Sequence, residues 1–198
     1  MKDYKDINEL IVVVDVINGF LNEGNMKDEY IYHIVDGIDK LVKKYVESKD
    51  KEVIYIKDSH KKDSLEFKKF PLHCLENTSE SEMVDELKKY ESQVRSYKKN
   101  STSAIFAKGL LEDINKMNNL KRVTIVGCCS DICVINFAIP LTNYFDEYNK
   151  EIEVIVLEDL IETYDSINHN RDEYNELTIK LLKQAGIKVL NSEVYENE

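Results

Sequence analysis

Residues 123–134, with the sequence VTIVGCCSDICV, constrain the fold of this chain more than any other segment. They begin with β-branched apolar residues, pass through Gly127 and a group of small and polar residues, and end in a second apolar segment. This pattern is typical of a buried parallel strand, a tight turn and the start of a helix. Cys133 falls where the turn becomes helix, near unpaired backbone N–H groups and the positive end of the helix dipole, which favour a thiolate. The segment therefore predicts a nucleophile on a strand-to-helix turn.

A plainer interpretation of these cysteines competes with the catalytic one. Free cysteine is among the residues most often buried, where it behaves as a small apolar group. That is the simpler interpretation of Cys128 and Cys129, whereas for Cys133 the rest of the chain decides. The chain has four cysteines, three of them in this turn, and no CxxC zinc pattern. We expect them to be reduced rather than paired in disulfides.

Apolar runs of strand character alternate with segments of helical periodicity along the chain. The predicted strands are residues 10–16, 53–56, 94–98, 123–126, 152–157 and 187–190, and the predicted helices are residues 28–46, 81–90, 106–117, 133–143 and 171–185. Ser79 and Glu82 are placed like a capping box for the second helix, and Pro140 predicts a kink or an early end of the fourth. Right-handed crossovers between such strands make a parallel sheet. We therefore expect residues 1–198 to form a single domain, a three-layer α/β/α fold with a six-stranded, mostly parallel sheet.

Length and charge narrow the class of partner. A chain of 198 residues suits one domain whose sheet is covered on both faces. With 27 Lys and Arg against 38 Asp and Glu, the net charge is -11, which argues against nucleic acid and anionic membranes as partners. No apolar run approaches the ~20 residues that span a bilayer, and the first residues lack a signal-peptide pattern. We expect a cytoplasmic protein that acts on a small molecule; the sequence leaves open whether it forms a homo-oligomer.

Reactive side chains follow or end several of the predicted strands. In parallel sheets, ligands bind beyond the carboxyl ends of the strands. Each residue alone has a plainer interpretation, because aspartate is a common turn residue and a lysine in a charged run usually faces solvent. Their common position predicts one site, and its members are Asp15, Asp58, Lys99 and Cys133.

A long loop follows the second predicted strand and shows no periodicity, and loops of this length are usually functional. Asp58 and His60 stand at its start, and Glu66 and His73 follow within it. Two imidazoles and two carboxylates suit Zn²⁺, Mn²⁺ or Fe²⁺ rather than Ca²⁺ or Mg²⁺. Asp63 competes with Glu66 for the second acidic position. A histidine taken alone is as often a core residue with a satisfied hydrogen bond.

The order and spacing of these elements resemble the isochorismatase-like cysteine hydrolases. The resemblance extends from about residue 11 to residue 190, and the segments that carry it are DVINGF, DSH, FPLHCLENT, KNSTSAIF and GCCSDICV. The DxH and FPxHC elements point to the nicotinamidase branch of that superfamily. The resemblance implies hydrolysis of nicotinamide to nicotinate and ammonia in NAD salvage, through a thioester on Cys133.

The resemblance also implies a role for each site residue. The catalytic triad would be Asp15 as general base and acid, Lys99 beside the thiol, and Cys133 as nucleophile. In the family the lysine stands shortly before an S-A-F segment. Here Ile105 interrupts that segment, so Lys98 remains an alternative to Lys99.

Further features of the site are implied in the same way. The backbone N–H groups of Cys129 and Cys133 would form the oxyanion hole, a cis peptide would join Cys128 to Cys129, and Phe20 would stack on the substrate ring. The cofactor would be one divalent transition metal, zinc in preference to manganese or iron. The metal ligands carried over by position are Asp58, His60 and His73, with Glu66 as the additional acidic ligand of some members.

Three alternatives stay open on the same scaffold. Two change the substrate, either to another small amide such as an N-carbamoyl compound or to isochorismate. The metal-like loop argues against both, because the resemblance ties it to the nicotinamidase branch. The third is a non-catalytic binding protein that senses redox state through Cys128, Cys129 and Cys133; an intact Asp, Lys and Cys set argues against it. His169, before the last helix, is expected to be a cap or surface residue, although its position resembles a histidine that recurs in the superfamily.

Overall fold

A computed structural model describes residues 2–197 and has six parallel strands in one sheet, which confirms the predicted fold class. The strands are β1 (Glu9–Val14), β2 (Lys51–Asp58), β3 (Arg95–Lys99), β4 (Arg122–Cys128), β5 (Glu153–Glu162) and β6 (Lys188–Leu190). The α-helices are α1 (Asn18–Leu21), α2 (Val35–Glu47), α3 (Asp85–Lys88), α4 (Leu110–Lys116), α5 (Ile135–Glu147), α6 (Arg171–Gln184) and α7 (Ser192–Tyr195).

The strand order is β3-β2-β1-β4-β5-β6. The chain therefore adds β2 and β3 on one side of β1 and then adds β4, β5 and β6 on the other, so the strand order reverses between β1 and β4. Val14 at the end of β1 pairs with Ile56 on one side and with Gly127 on the other. The carboxyl ends of β1, β2 and β4 are therefore level with one another. Ligands bind to parallel sheets at such a reversal point.

Alternating side chains of the central strands build a separate core on each face of the sheet. Ile11 and Val13 of β1 pack into one core, and Leu10, Val12 and Val14 pack into the other. Helix α2 covers the first core, and α4 and α5 cover the second. Because β1 is buried on both faces from Leu10 to Val14, that stretch is apolar throughout rather than alternating in polarity.

The predicted helix over residues 81–90 is wrong. The segment has only a 3₁₀ turn at its start and the single turn of α3. Between these, the backbone is extended and pairs with the segment after β1: Asn18 N–H donates to Glu82 O at 2.9 Å, and Val84 N–H donates to Val16 O at 3.2 Å. The capping box that the sequence suggested is not formed, because the Glu82 N–H donates to the backbone oxygen of Ser79 at 3.0 Å rather than to its side chain.

The sequence predicted a kink or an early helix end at Pro140. The early end is wrong, because α5 continues through Pro140 to Glu147. Proline has no N–H, so the carbonyl of Asn136, four residues earlier, loses its helical donor. Ser103 Oγ donates to that carbonyl oxygen at 2.5 Å instead. The lost backbone hydrogen bond is thus replaced by a side chain, which lets the helix continue.

The other predicted helices differ from the structure mainly at their ends. The helix expected over residues 28–46 begins as the 3₁₀ turn Glu29–Ile34 and becomes α2, and the one expected over residues 106–117 shortens to α4. The helix expected over residues 171–185 is α6. Within residues 2–197, none of the helices has the length and apolar character that crossing a membrane requires.

Replacing Gly127 with alanine is expected to destabilise the fold strongly. Its φ is +118°, and a Cβ atom there would lie 2.0 Å from the carbonyl oxygen of Val14. We expect Gly127→Ala to lower the free energy of unfolding by about 3 kcal/mol, since it combines backbone strain with overpacking. Urea unfolding measures this loss. Gly186→Ala is the control, because Gly186 also has a positive φ (+81°) but no atom within 4 Å of its added Cβ; equal losses in both variants would contradict the prediction.

Candidate active site

Four chemically active side chains meet at the carboxyl edge of the sheet. Asp15 directly follows β1, Asp58 ends β2, Lys99 ends β3, and Cys133 lies in the turn after β4. All four are buried, with at most 5% of any of them exposed. The fold therefore brings together the residues that the sequence predicted to share one site.

Lys99 is the centre of this cluster. Its Nζ lies 2.8 Å from Asp15 Oδ2 and 2.7 Å from Asp58 Oδ1. It also lies 3.5 Å from Cys133 Sγ. Burial alone would lower the pKa of Lys99, but the two carboxylates hold it well above its usual value, so the side chain is an ammonium. Lys98 is exposed on the edge strand, and it is Lys99 that reaches the thiol.

Asp15 is held in an unusual backbone conformation, with φ at +52°. Its Oδ1 accepts the backbone N–H of Asp58 at 2.8 Å, which fixes the carboxylate in place. Burial raises the pKa of Asp15 to about 6, although Lys99 opposes the shift. Oxygen atoms of Asp15 and Asp58 and the sulfur of Cys133 all lie within 4.8 Å of one another. Asp15 is thus a carboxylate of raised basicity beside a thiol.

The sequence predicted a thiolate at Cys133, and the structure corrects this prediction. Burial raises the pKa of the Cys133 thiol well above its ordinary value. Lys99 lowers that pKa, but Asp15 and Asp58 raise it further and leave the sulfur protonated. The helix end and one ammonium therefore do not produce a resting thiolate, because two carboxylates share the same buried site.

The turn that carries the sulfur has irregular geometry. The peptide bond between Cys128 and Cys129 is cis, as the family resemblance implied. A π-helical turn, Ser130–Val134, follows and leads into α5. Cys128 Sγ donates to the carbonyl oxygen of Asp15 at 3.1 Å, which ties this turn to the end of β1. An oxyanion hole formed by the backbone N–H groups of Cys129 and Cys133 stays a prediction.

A second buried group lies beside the first and contains the four predicted metal ligands. One ligand atom from each residue lies within 4.8 Å of the others, and the residues are Asp58, His60, Glu66 and His73. The Nε2 atoms of the two histidines are 3.1 Å apart. Asp58 Oδ2 lies 3.3 Å from one and 3.7 Å from the other. Asp63, the competitor of Glu66, is exposed.

The hydrogen bonds behind the two histidines show that this group fits a metal ion. His73 Nδ1 lies 2.7 Å from Pro71 O, and His60 Nδ1 lies 3.2 Å from Asn100 Oδ1. Because these oxygens only accept, each Nδ1 can donate its proton to them, which leaves the Nε2 lone pair of each ring available to a metal ion. Two lone pairs and a carboxylate then face one another at close range and repel one another. A cation between them would offset this repulsion. Two imidazoles with carboxylates favour a divalent transition metal such as zinc, manganese or iron.

A small cavity of about 20 Å³ lies between the thiol and the metal-ligand group. Phe20 lines it, and the Phe20 ring centre is 5.7 Å from that of His73. A groove of about 720 Å³ lies outside and shares Glu66, Phe70 and Thr102 with the cavity as lining residues. The inner space has room for little more than one water molecule, and the groove next to it is large enough for a ring-sized ligand.

Two features of the site were missed in the sequence analysis. Asn100, which orients His60, directly follows Lys99, but an asparagine after a strand gives no distinct signal. His169 is not the cap or surface residue that the sequence suggested, because it is buried and lies 2.8 Å from a carboxylate oxygen of Asp131. Only the recurrence of a histidine at this position in the superfamily indicated a role for it.

Comparisons with known proteins agree with this geometry. Residues 9–194 match the Isochorismatase domain family. Nicotinamidase 1 of Arabidopsis thaliana is 33% identical over 147 residues, which are 67% of this chain and 59% of that relative. The chain thus spans less than two thirds of the length of this curated relative.

Two solved structures have the same fold. The pyrazinamidase of Pyrococcus horikoshii in complex with zinc gives a TM-score of 0.75 at 23% identity, covering 93% of this chain and 99% of that one. The N-carbamoylsarcosine amidase of Thermoplasma acidophilum gives a TM-score of 0.72 at 24% identity, covering 94% of this chain and 97% of that one. At these identities the likeness is one of fold, and function has to be argued from the site.

Proposed function

The chain belongs to the isochorismatase domain family, and from that premise we propose that it is a nicotinamidase, a cysteine amidohydrolase that converts nicotinamide and water to nicotinate and ammonia. The observation that carries the proposal is the contact of one buried ammonium, Lys99, with two carboxylates and the Cys133 sulfur. The adjacent metal-ligand group and the likeness to the Arabidopsis nicotinamidase support this substrate. We expect the reaction to take place in the cytoplasm.

The first half of the reaction needs a base for the Cys133 proton, because burial keeps the sulfur protonated. Asp15 takes that proton as the sulfur attacks the amide carbon, and Lys99 stabilises the negative charge that develops on sulfur. Asp15 then gives the proton to the amide nitrogen, the C–N bond breaks, and ammonia leaves. The product of this half is a thioester on Cys133.

The second half restores the enzyme. A water molecule gives a proton to Asp15 and attacks the thioester carbon, and the C–S bond breaks. Asp15 returns its proton to the sulfur, and the acid product leaves as the carboxylate after releasing its remaining proton to the solvent. In both halves the negative charge on the carbonyl oxygen would be met by the backbone N–H groups of Cys129 and Cys133, each worth about 3 kcal/mol in the transition state. Phe20, which lines the cavity, would pack against the substrate ring.

Asp58, His60, Glu66 and His73 would hold one divalent metal ion, for which zinc is the proposed identity. When bound, the ion supplies a Lewis acid that orients the pyridine nitrogen and withdraws electron density from the amide carbon. Asp58 belongs to both groups, since its other carboxylate oxygen pairs with Lys99. Asp58 would therefore link the metal-ligand group to the Lys99 ammonium.

Removing one imidazole should empty the metal site. We expect His73→Ala to lose bound metal, because it removes one of the two facing Nε2 lone pairs. Elemental analysis of the purified protein measures the ratio of metal to protein. His33→Ala is the matched control, since His33 is largely exposed and outside this group, and it should keep its metal. Unchanged metal in His73→Ala would dispose of the proposed site.

Ammonia release from a panel of amides tests the proposed function. Nicotinamide should be the preferred substrate, and a chelator should abolish the activity until zinc is returned. A preference for an N-carbamoyl compound would make such a compound the substrate in place of nicotinamide. An N-carbamoyl compound is the substrate class named for the Thermoplasma acidophilum amidase. Pyruvate release from isochorismate would indicate vinyl-ether cleavage. Reversible disulfide formation without any turnover would instead support a redox sensor.

A further inference from the structure

A histidine and a carboxylate, both largely shielded from solvent, meet behind the turn that carries the nucleophile. His169 Nε2 lies 2.8 Å from Asp131 Oδ2, and Asp131 is two residues before Cys133 in the π-helical turn. Thr163 Oγ1 donates to the other oxygen of Asp131 at 2.5 Å. His169 is 7% exposed and belongs to the loop between β5 and α6. None of these residues has a part in the reaction described above.

The surroundings of His169 favour a positively charged ring. Nδ1 lies 3.0 Å from the carbonyl oxygen of Tyr164, and Nε2 faces the carboxylate of Asp131. A carbonyl and a carboxylate only accept, so each ring nitrogen faces an acceptor, an arrangement that suits a ring protonated on both nitrogens, an imidazolium. The ring lies between those of Tyr164 and Tyr174, at centroid distances of 3.9 and 3.7 Å with interplanar angles of 9° and 23°. Two aromatic faces stabilise a cation in this position.

The charge of Asp131 matters because of where it is attached. Negative charge develops on the substrate oxygen beside the backbone of this turn, and an uncompensated carboxylate in the same turn would oppose it. The turn also lacks the regular hydrogen bonds of an α-helix, so side chains must anchor it. A second anchor supports this: Ser130 Oγ donates to Asn175 Oδ1 of α6 at 2.5 Å.

We infer that His169 is a positioning residue of the proposed hydrolase, which holds the nucleophile turn through Asp131 and cancels the carboxylate charge there. The inference rests on the proposed function for its effect on turnover, but the ion pair itself can be tested without a substrate. The partner of His169 is Asp131 of the same chain, so the pair needs no added cofactor. A purely structural role predicts that any change to the pair reduces stability, whereas cancellation of charge predicts that a second, compensating change restores turnover.

The charge-compensation test compares His169→Gln with the double variant His169→Gln/Asp131→Asn. The single variant keeps a side-chain N–H for Asp131 but removes the positive charge. We expect kcat to fall at least about tenfold, KM to change less than about threefold, and metal content to stay unchanged. The double variant, which has no charge at either position, should recover kcat to within about threefold of wild type. A single variant with wild-type kcat, or a double variant no more active than the single one, would overturn the inference.

Nitrogen NMR of the wild-type protein with ¹⁵N-labelled histidine decides the charge state even where a variant fails to fold. The chain has four histidines, and the His33→Gln spectrum helps to assign them. At pH 7 we expect both ring nitrogens of His169 to be protonated. A single unprotonated nitrogen would contradict the imidazolium. Wild-type protein that releases no ammonia would refute the proposed function, and this spectrum would still decide the ion pair.

Discussion

Replacing Cys133 with alanine is expected to abolish amide hydrolysis, lowering kcat by at least about 10⁴-fold, while metal content and stability remain close to wild type. The loss is large because the sulfur forms the covalent bond that divides the reaction in two. Asp15 and Lys99 cannot replace it, since they are already paired with each other. Ammonia release and elemental analysis on the same preparation measure both outcomes.

Cys129→Ala is the matched control for that prediction. Cys129 lines the same cavity, and the variant keeps its backbone N–H group, so we expect kcat to fall less than about tenfold. Activity that survives in Cys133→Ala but disappears in Cys129→Ala would move the nucleophile to the other cysteine. Loss of metal in Cys133→Ala would show that the sulfur holds the metal site together instead.

Replacing Lys99 with methionine should have the second largest effect, because it changes stability as well as turnover. Methionine fills much of the same space but leaves Asp15 and Asp58 without the ammonium that both contact. Removing one partner of a buried ion pair costs about 3–5 kcal/mol, so the free energy of unfolding should fall by about that amount. We also expect kcat to fall at least about 10³-fold, since the charge that stabilises the attacking sulfur is gone.

Lys98→Met separates this effect from the loss of any lysine on β3. Lys98 is exposed, and its replacement should change the free energy of unfolding by no more than about 0.5 kcal/mol. Urea unfolding and ammonia release, both measured on metal-loaded protein, compare the two variants. Greater damage from Lys98→Met than from Lys99→Met, or wild-type stability in Lys99→Met, would contradict the prediction.

The sheet and the edge where the site lies could be predicted from the sequence. Apolar runs of strand length are typical of the buried strands of a parallel sheet, and four of the six predicted strands end at or are followed by a residue with reactive chemistry. The choice between Lys98 and Lys99 needed the structure. Neighbouring strand residues point to opposite faces, and the sequence pattern around this polar edge strand does not reveal which face is buried.

Local patterns failed where tertiary contacts decided the conformation. Periodicity favoured a helix around α3, but the segment before it pairs with the backbone after β1. Pro140 indicated a helix end, but Ser103 from a distant loop replaces the missing donor. The charge state of Cys133 depends on two carboxylates from other strands, and the buried position of His169 goes with its contact to a carboxylate of the nucleophile turn. None of these partners is close in sequence, so no local pattern could reveal them.

The central claim is that Cys133 carries the acyl group during turnover, and acid-quenched mass spectrometry tests it most directly. Protein mixed with nicotinamide and quenched before the first turnovers finish should yield a peptide with a nicotinoyl group on Cys133. The adduct should decay at the rate at which nicotinate forms. Unmodified Cys133 at every quench time, in a sample that is releasing ammonia, would contradict the claim.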